Sequence, residues 1–413
     1  MAAQFMSLAL VAHTLGTSRY ASYLAVTASV AWASLLGLGF LPALTARIAR
    51  AVARGCRDDE IAMVSAGIWI AASAGGVLVI LAAALSFLGT DAWFDGIRAS
   101  HDPGEVRAGL LTALGVIAVH FLSSASTAIR AGYQESHISN GLSTIANATV
   151  LIGAWTVAVQ GPDIPSFVLA IYAPFTLLFL YDLLRIFHAR PYLWPPASPM
   201  TLLQPLEGRE SLLSMCRVTW ALQLYNFLIN SGMVVLVSHL ERSRETAEFG
   251  SLMRFVTLAT SVISLLVTPL LPAISDAAAR AEMSWVKQHY RRAVSLTLGA
   301  ATIIGLVLAA AGPMLFRLWL GGANAPPQSV CIIFGLYFIV SMSSLTHFNF
   351  ALALGGIQRV GTLFLMQAGL AYALALSFAP QLGNVGVGLA MLASTLAVTG
   401  WMLPRRVRER LAH

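Results

Sequence analysis

The stretch His188–Ser214 reads HARPYLWPPASPMTLLQPLEGRESLLS and is the longest polar, proline-rich interruption of a very apolar sequence. Prolines remove backbone donors, so this density of proline prevents a continuous helix here. The prolines are Pro191, Pro195, Pro196, Pro199 and Pro205. Apolar blocks fill the chain on both sides of the stretch. We therefore predict two halves, 1–187 and 215–413, joined by a connector at 188–214.

Composition places both halves in a membrane. Of 413 residues, 57% are hydrophobic and 10% are charged, whereas an average soluble domain has about 25% charged residues. Apolar runs of about 20 residues recur, the length that an α-helix needs to cross about 30 Å of hydrocarbon. These runs leave no room for a soluble domain. We predict an all-α polytopic membrane protein with about twelve transmembrane helices, six in each half.

The predicted spans of the first half are 2–15, 20–44, 62–88, 106–128, 139–159 and 165–187. Those of the second half are 215–238, 249–272, 291–320, 329–352, 360–379 and 384–404. The first span is short, because about 14 residues at 1.5 Å each reach only about 21 Å. We expect either that helix 1 is truncated in this sequence or that the true start lies upstream.

Arginines fall in alternate connections between these spans, and several acids occupy the others. The arginine-rich segments follow spans 2, 4, 6, 8, 10 and 12, and include Arg47, Arg130, Arg190, Arg280, Arg359 and Arg405. By the positive-inside rule, this pattern predicts that both termini and the connector are cytoplasmic. The formal charge of +7 is thereby explained by membrane topology, and we expect no nucleic-acid partner.

Short matches relate the two halves. Val11–His13 is matched by Val237–His239, and Leu41–Thr45 by Leu271–Ser275; Gly132 and Gln134 are matched by Gly356 and Gln358. An even number of predicted spans separates the copies, so the repeat is parallel. Parallel halves related by an axis along the membrane normal are a known transporter design, with the substrate between them.

Several chemistries are excluded by missing residues. The single lysine, Lys287, is not in a glycine-rich loop, so the sequence has no Walker A motif. No zinc-protease, paired-cysteine or nucleophile-elbow motif occurs. The longest predicted outer loop, 89–105, is too small for a folded domain, which argues against a membrane glycan polymerase or ligase. We expect no enzyme activity, metal or cofactor.

Two arginines are candidates for binding an anion. Arg254 lies inside predicted span 8, where an arginine costs up to about 3 kcal/mol unless it finds water or a partner. It either snorkels to the outer surface towards Glu248 or lines a polar cavity. Arg47 opens a run with Arg50, Arg54 and Arg57, whose spacing predicts one helix face. That face either lies against anionic lipid or lets Arg47 meet an anionic substrate.

Predicted helix 7 carries three amides, Gln223, Asn226 and Asn230, at three- and four-residue spacing. Amides that face lipid would lack partners, so this face points to protein or to water. Contact between helices and lining of a cavity both remain open. Asp182 is the one acid well inside a predicted span, and we expect a salt link to nearby Arg185.

Three segments match patterns of a known family of membrane proteins. Leu15–Tyr23, LGTSRYASY, resembles an LGPEEYGLY-type loop, and Leu35–Leu44 resembles an LLDLGL…AL stretch. Pro380, Gly383, Gly386, Ala390 and Ser394 resemble a PxxGxxGxxxAxxxS pattern. Through these segments the chain resembles the Wzx-type polysaccharide flippases of the multidrug/oligosaccharidyl-lipid/polysaccharide (MOP) exporter superfamily. It departs from their patterns at Arg19, Ala21, Gly37 and Arg47.

The resemblance implies a MATE-like fold and a monomer in the bacterial inner membrane. It implies alternating access for undecaprenyl-pyrophosphate-linked oligosaccharide, such as an O-antigen, capsule or exopolysaccharide unit, with H⁺ or Na⁺ as a possible coupling ion. Arg254 would bind the pyrophosphate through its planar fork, Arg47 would assist at the inner mouth, and the three amides would line a polar wall. The alternative is a MATE-type multidrug/cation antiporter, which would need buried carboxylates that this sequence almost lacks.

Overall fold

The structure, a computed structural model, describes residues 2–31, 33, 35, 40–87, 102–194, 220–240, 243–267, 270–280, 282–321, 324–354 and 360–412. Nearly all of these residues are helical, and no strand occurs among them. The packing divides the chain into two units, Met1–Gln223 and Leu224–His413. Of the predicted connector, only the part up to Trp194 lies within the described residues.

The first unit contains α1 (Ala2–Val30), α2 (Phe40–Arg54), α3 (Arg57–Phe87), α4 (Pro103–Gly132), α5 (Ser136–Gln160) and α6 (Ile164–Ala189). α1 is broken at Gly16, whose φ of 72° is in the left-handed region that glycine tolerates. α4 and α6 have defined starts, because Asp102 and Asp163 accept hydrogen bonds from Gly104 N and Ser166 N at 2.8 and 2.7 Å.

The predicted span 20–44 is wrong as a single helix. α1 ends at Val30, and α2 begins at Phe40 and continues to Arg54. α2 is amphipathic, with Leu44 and Ile48 buried and Arg50 exposed. A search for continuous apolar runs ends such a helix too early, because only one of its faces is apolar.

α2 packs closely onto the rest of the first unit. Leu44 and Ile48 join one buried cluster with residues of α3, α4 and α6. A Cβ on Gly132 would lie 2.6 Å from Ile48 Cγ2. Glycine at the end of α4 therefore permits the close approach of α2, which explains the residue at one of the matched repeat positions.

The second unit begins within α7 (Trp220–Leu240), at Leu224. It also contains α8 (Ser243–Val267), α9 (Leu270–Ala279), α10 (Met283–Leu320), α11 (Gln328–Ala353), α12 (Val360–Leu382), α13 (Asn384–Ala397) and α14 (Thr399–Ala412). α10 starts before the predicted 291, because Val286 and Tyr290 are buried in a cluster with residues of α9, α11 and α14. The predicted span 384–404 consists of two helices separated at Val398.

Nine helical segments of the described residues are long and apolar enough to cross a membrane, with α13 and α14 together counted as one. The other expected spans are the two parts of α1, each about 21 Å long at 1.5 Å per residue, and α8. α8 carries Arg244, Glu245, Glu248 and Arg254 among its apolar residues. The chain is thus a multi-pass membrane protein with about twelve helices, which confirms the predicted fold class.

Candidate functional site

Arg254, the first predicted anion ligand, lies within α8 and is exposed. Glu248, the acid towards which it could snorkel, is buried and accepts a hydrogen bond from Arg244 Nε at 2.9 Å. Because Arg244 and Glu248 are four residues apart on one helix, this pair forms within α8.

Arg47, the second predicted anion ligand, is half-buried on α2, whereas Arg50 and Arg54 are exposed. The prediction of four arginines on one helix face is wrong, because Arg57 opens α3. Gly55 ends α2 with a φ of 66° and donates a hydrogen bond to Val52 O at 3.0 Å. Arg47 therefore differs from its neighbours in burial, and it is the arginine of α2 that lies nearest the apolar core.

The three amides lie on α7. Asn226 is exposed, and Asn230 Nδ2 donates to Asn226 O at 3.1 Å. Gln223 is half-buried, and its Oε1 is a buried acceptor for which the described part of the chain supplies no donor. An O–H or N–H group is the type of donor that such an oxygen can accept from.

A π-helical turn at Phe227–Gly232 interrupts α7 just beyond Asn226. Tyr372 Oη, from α12, donates to Leu228 O at 3.0 Å, and the same carbonyl accepts the backbone hydrogen bond from Met233 N. Single π turns of this kind occur often at functional sites. No pattern in this segment, FLINSG, predicts a π turn.

A cluster at the end of the first unit was not predicted from the sequence. Asp182 is fully buried and pairs with Arg130 Nη2 of α4 at 2.8 Å. The expected partner, Arg185, is exposed. The prediction is wrong because Asp182 points between α6 and α4, where only a residue of another helix can reach its carboxylate.

The cluster continues to the start of the connector. Glu135 accepts hydrogen bonds from Arg130 Nη1 and Arg190 Nη2, both at 2.6 Å. Tyr133 and Tyr192 both donate to Glu60 Oε2, at 2.9 and 3.1 Å. Burial alone would raise the pKa of Glu135, but the two arginines outweigh it and hold that pKa below its ordinary value. We call this set, Glu60, Arg130, Tyr133, Glu135, Asp182, Arg190 and Tyr192, the connector-side cluster.

The second unit is held by a neutral polar network instead. Gln367 of α12 is buried, and its Nε2 donates to Tyr225 Oη of α7 at 3.1 Å and to Thr395 Oγ1 of α13 at 2.8 Å. Its Oε1 accepts from Thr399 Oγ1 of α14 at 2.7 Å. All polar groups of Gln367 are therefore satisfied, and the network joins four helices near the break at Val398.

A further ion pair lies beside the Gly16 break. Arg19 Nε and Nη2 donate to both carboxylate oxygens of Glu105, at 2.9 and 2.5 Å, and Arg19 Nη2 also donates to Pro162 O at 2.7 Å. Glu105 Oε1 accepts from Ile164 N at 2.9 Å. We call these four residues the Arg19 corner. It explains the departure of Arg19 from the flippase-type loop, because the cation here neutralises an acid of α4.

Comparison with known proteins defines the class of fold. No family model matches the chain, and no curated protein matches it. A multidrug resistance MATE family transporter of the MOP superfamily, in an inward-facing conformation, superposes with a TM-score of 0.76 at 13% identity, covering 99% of this chain and 94% of the other.

Two further structures point to the same class. The lipid II flippase MurJ, in an inward closed conformation, matches with a TM-score of 0.73 at 15% identity, covering 100% of this chain and 88% of the other. A MOP superfamily transporter from Pyrococcus furiosus matches with a TM-score of 0.61 at 13% identity, covering 100% and 94%. The chain therefore has the fold of MOP superfamily transporters, as the prediction of a MATE-like architecture stated.

Proposed function

We propose that the protein is a flippase that moves an undecaprenyl-pyrophosphate-linked oligosaccharide across the bacterial inner membrane by alternating access. The observation that carries this proposal is the charge of the described helices. Asp182 is the acid farthest from a helix end, and Arg130 neutralises it. Arg254 lies within α8 and is exposed. A guanidinium at this place suits an anionic head group.

Each predicted ligand has a role that its chemistry supports. A diphosphate in a medium of low dielectric needs cations, and an arginine fork matches two phosphate oxygens at once. Arg254 would supply that fork, and Arg47 would assist from α2. Gln223, Asn226 and Asn230 would offer hydrogen bonds to sugar hydroxyls, with Gln223 Oε1 as the acceptor that lacks a donor.

The orientation and energy source belong to the same proposal. The arginine distribution supports cytoplasmic termini and a cytoplasmic connector. The sequence has no nucleotide-binding motif, so an ion gradient or consumption of the product outside would drive net transport. We propose that a single chain performs it. Labelling of single cysteines introduced at Gly208 and Asp102, in a cysteine-free background, tests the orientation; outside access at 208 would contradict it.

Export of cationic drugs is the second candidate. Its support is the fold, since a multidrug MATE transporter superposes over 99% of this chain. A cationic drug would require an unneutralised carboxylate within the spans, and the pairing of Asp182 with Arg130 argues against this role for Asp182.

The decisive experiment reconstitutes the purified protein in proteoliposomes with undecaprenyl-pyrophosphate-linked oligosaccharide and measures movement between leaflets. We expect Arg254→Ala to lose transport. Arg254→Lys should also transport poorly, because lysine keeps the charge but not the fork. A parallel assay measures ethidium efflux, which we expect to be absent.

Arg317 provides the matched control, since it is an exposed arginine in the last turn of α10. Arg317→Ala and Arg317→Lys should transport like the wild type. Full transport by both Arg254 variants would defeat the assignment of Arg254. Ethidium efflux without movement of the lipid-linked glycan would favour the multidrug candidate.

A further inference from the structure

Basic residues gather at one end of the second unit, where α10 begins and α14 ends. They are Lys287, Arg291 and Arg292 of α10 and Arg405, Arg406, Arg408 and Arg410 of α14. We call this set the basic end. The acid within α14, Glu409, pairs with Arg405 Nε at 2.9 Å, and the first three turns of α10 contain no acid.

Packing brings the start of α10 and the end of α14 together. Tyr290 of α10 and Val407 of α14 belong to one buried cluster. The side chain of Arg408 hydrogen-bonds that of Tyr290, and Arg410 Nη1 donates to Leu354 O, at the end of α11, at 2.6 Å. Charges that are far apart in the sequence therefore meet on one surface of the second unit.

The corresponding end of the first unit is built differently. The connector-side cluster follows α4, which the repeat matches with α11, and it combines two arginines with three acids. In the second unit, the ion pairs that the structure describes are those of Arg244, Arg280 and Arg405, and none of them involves α10. Membrane topology favours basic residues at this end of both units. It does not explain why one unit neutralises its arginines and the other leaves those of α10 without a described carboxylate.

An exposed apolar stripe continues from the arginines of α10. Leu296, Ile303 and Val307 follow Arg292 at intervals of four, seven and four residues, so they share its helix face. All three are exposed, as are Arg291 and Arg292 themselves. The helix thus presents cationic groups at its start and hydrocarbon along the face that follows.

α14 repeats this arrangement with an aromatic residue. Trp401 is exposed one turn before the exposed Arg405, and tryptophan is enriched at the boundary between hydrocarbon and water. Its Nε1 donates to Ala397 O at 2.7 Å, which fixes the indole beside the helix. A free phosphate or a nucleic acid has no hydrocarbon chains to cover such apolar groups, so the surface fits a lipid better.

We propose that the basic end binds an anionic phospholipid of the surrounding bilayer. The arginines of α10 and α14 would hold the phosphate, and the acyl chains would lie along the exposed stripe of α10. Clusters of basic residues beside membrane-spanning helices attract anionic head groups in this way. The proposal does not depend on the transported cargo, because the lipid is a resident of the membrane and the test omits the cargo.

Thermal unfolding of the full chain in dodecyl maltoside tests the proposal. Phosphatidylglycerol and phosphatidylcholine with the same acyl chains are added in separate samples, and glycerol phosphate and heparin serve as soluble anions. A lipid that binds only the folded state stabilises it by mass action, and at ten times the Kd the ratio of folded to unfolded protein rises about elevenfold. We expect phosphatidylglycerol to raise the Tm relative to phosphatidylcholine. The same Tm in both lipids, or the full increase with a soluble anion alone, would overturn the proposal.

The test variant combines Arg291→Gln with Arg292→Gln, which removes two exposed charges and should leave the Tm in phosphatidylcholine unchanged. It should lose most of the increase that phosphatidylglycerol causes, whereas Arg291→Lys with Arg292→Lys should keep most of it, because lysine also binds phosphate as a point charge. The matched control combines Arg185→Gln with Arg317→Gln, two exposed arginines outside the basic end, and should respond like the wild type. A full response of the glutamine test variant would overturn the proposal. An equal loss in the control would also overturn it, since the effect would then follow net charge alone.

Discussion

Arg19 of the first unit and Glu248 of the second are 229 positions apart, a separation within the range of the matched repeat segments, yet they carry opposite charges. Each is followed by a buried aromatic residue, Tyr20 or Phe249. The Arg19 corner reaches the start of α6 through Pro162 and Ile164. We call Glu245, Glu248 and Asn384 the Glu248 corner, which reaches the start of α13.

The two corners differ in how many of their buried oxygen atoms have hydrogen-bond donors. In the Arg19 corner, both oxygens of Glu105 have donors, and cation and anion balance. In the Glu248 corner, Glu245 Oε2 and Asn384 Oδ1 have no described donor. The first unit depends on ion pairs, and the described core of the second depends on neutral groups around Gln367.

The largest loss of stability should come from breaking the buried ion pair of the first unit. Asp182→Ala leaves Arg130 buried with one of its two acids missing, and removing one partner of a buried pair costs about 3–5 kcal/mol. Thermal unfolding in detergent should show this loss as a strongly lowered Tm. Arg185→Ala is the control and should behave like the wild type, since Arg185 is exposed. Equal effects of the two substitutions would instead support the ion pair between Asp182 and Arg185 that the sequence predicted.

Disruption of the neutral network of the second unit should cause a smaller loss of stability. Gln367→Ala leaves Tyr225, Thr395 and Thr399 without their shared partner, and an unsatisfied buried polar group costs about 1–3 kcal/mol. The same unfolding assay should give a smaller decrease than Asp182→Ala, and the decrease should not change with salt concentration. Ser377→Ala on the exposed face of α12 is the control. A strong salt dependence of the Gln367 variant would contradict the view that this unit is held by neutral contacts.

Disruption of the Arg19 corner should cause the third-largest loss of stability. Arg19→Ala removes a bidentate contact, but the Arg19 side chain is 31% exposed, so we expect a loss near the low end of charged hydrogen bonds, about 1.5 kcal/mol. The double variant Arg19→Glu with Glu105→Arg should recover part of the loss from Arg19→Glu alone. Absence of any recovery would mean that the corner is held by its backbone contacts to Pro162 and Ile164.

The sequence predicted the helices well because apolar length and arginine placement act over whole spans. The sequence did not predict contacts between residues that lie far apart along the chain. Asp182 was assigned to Arg185 because sequence spacing reveals neighbours within a helix, whereas Arg130 belongs to α4. The π turn of α7 and the network of Gln367 likewise depend on packing between helices, which no local pattern encodes. The roles of Arg254 and Arg47 in binding stay predictions, since burial and exposure alone do not identify a ligand.

The smallest effect concerns pH and the connector-side cluster. Arg190 and Arg130 hold the pKa of Glu135 below its ordinary value. A carboxyl whose pKa is lowered in the folded state stabilises that state above its ordinary pKa, about 4.3, and loses this contribution as the pH falls through the folded-state value. Glu135 is partly exposed, so we expect a contribution below about 1 kcal/mol. Unfolding measured from pH 6 to pH 3 should therefore show a stability loss at the acid end that is smaller in Glu135→Gln than in the wild type. Glu409→Gln, which removes an exposed pair with Arg405 at the end of α14, is the control and should follow the wild-type curve. Identical curves for Glu135→Gln and the wild type would mean that Arg190 and the start of the connector are held without help from this carboxylate.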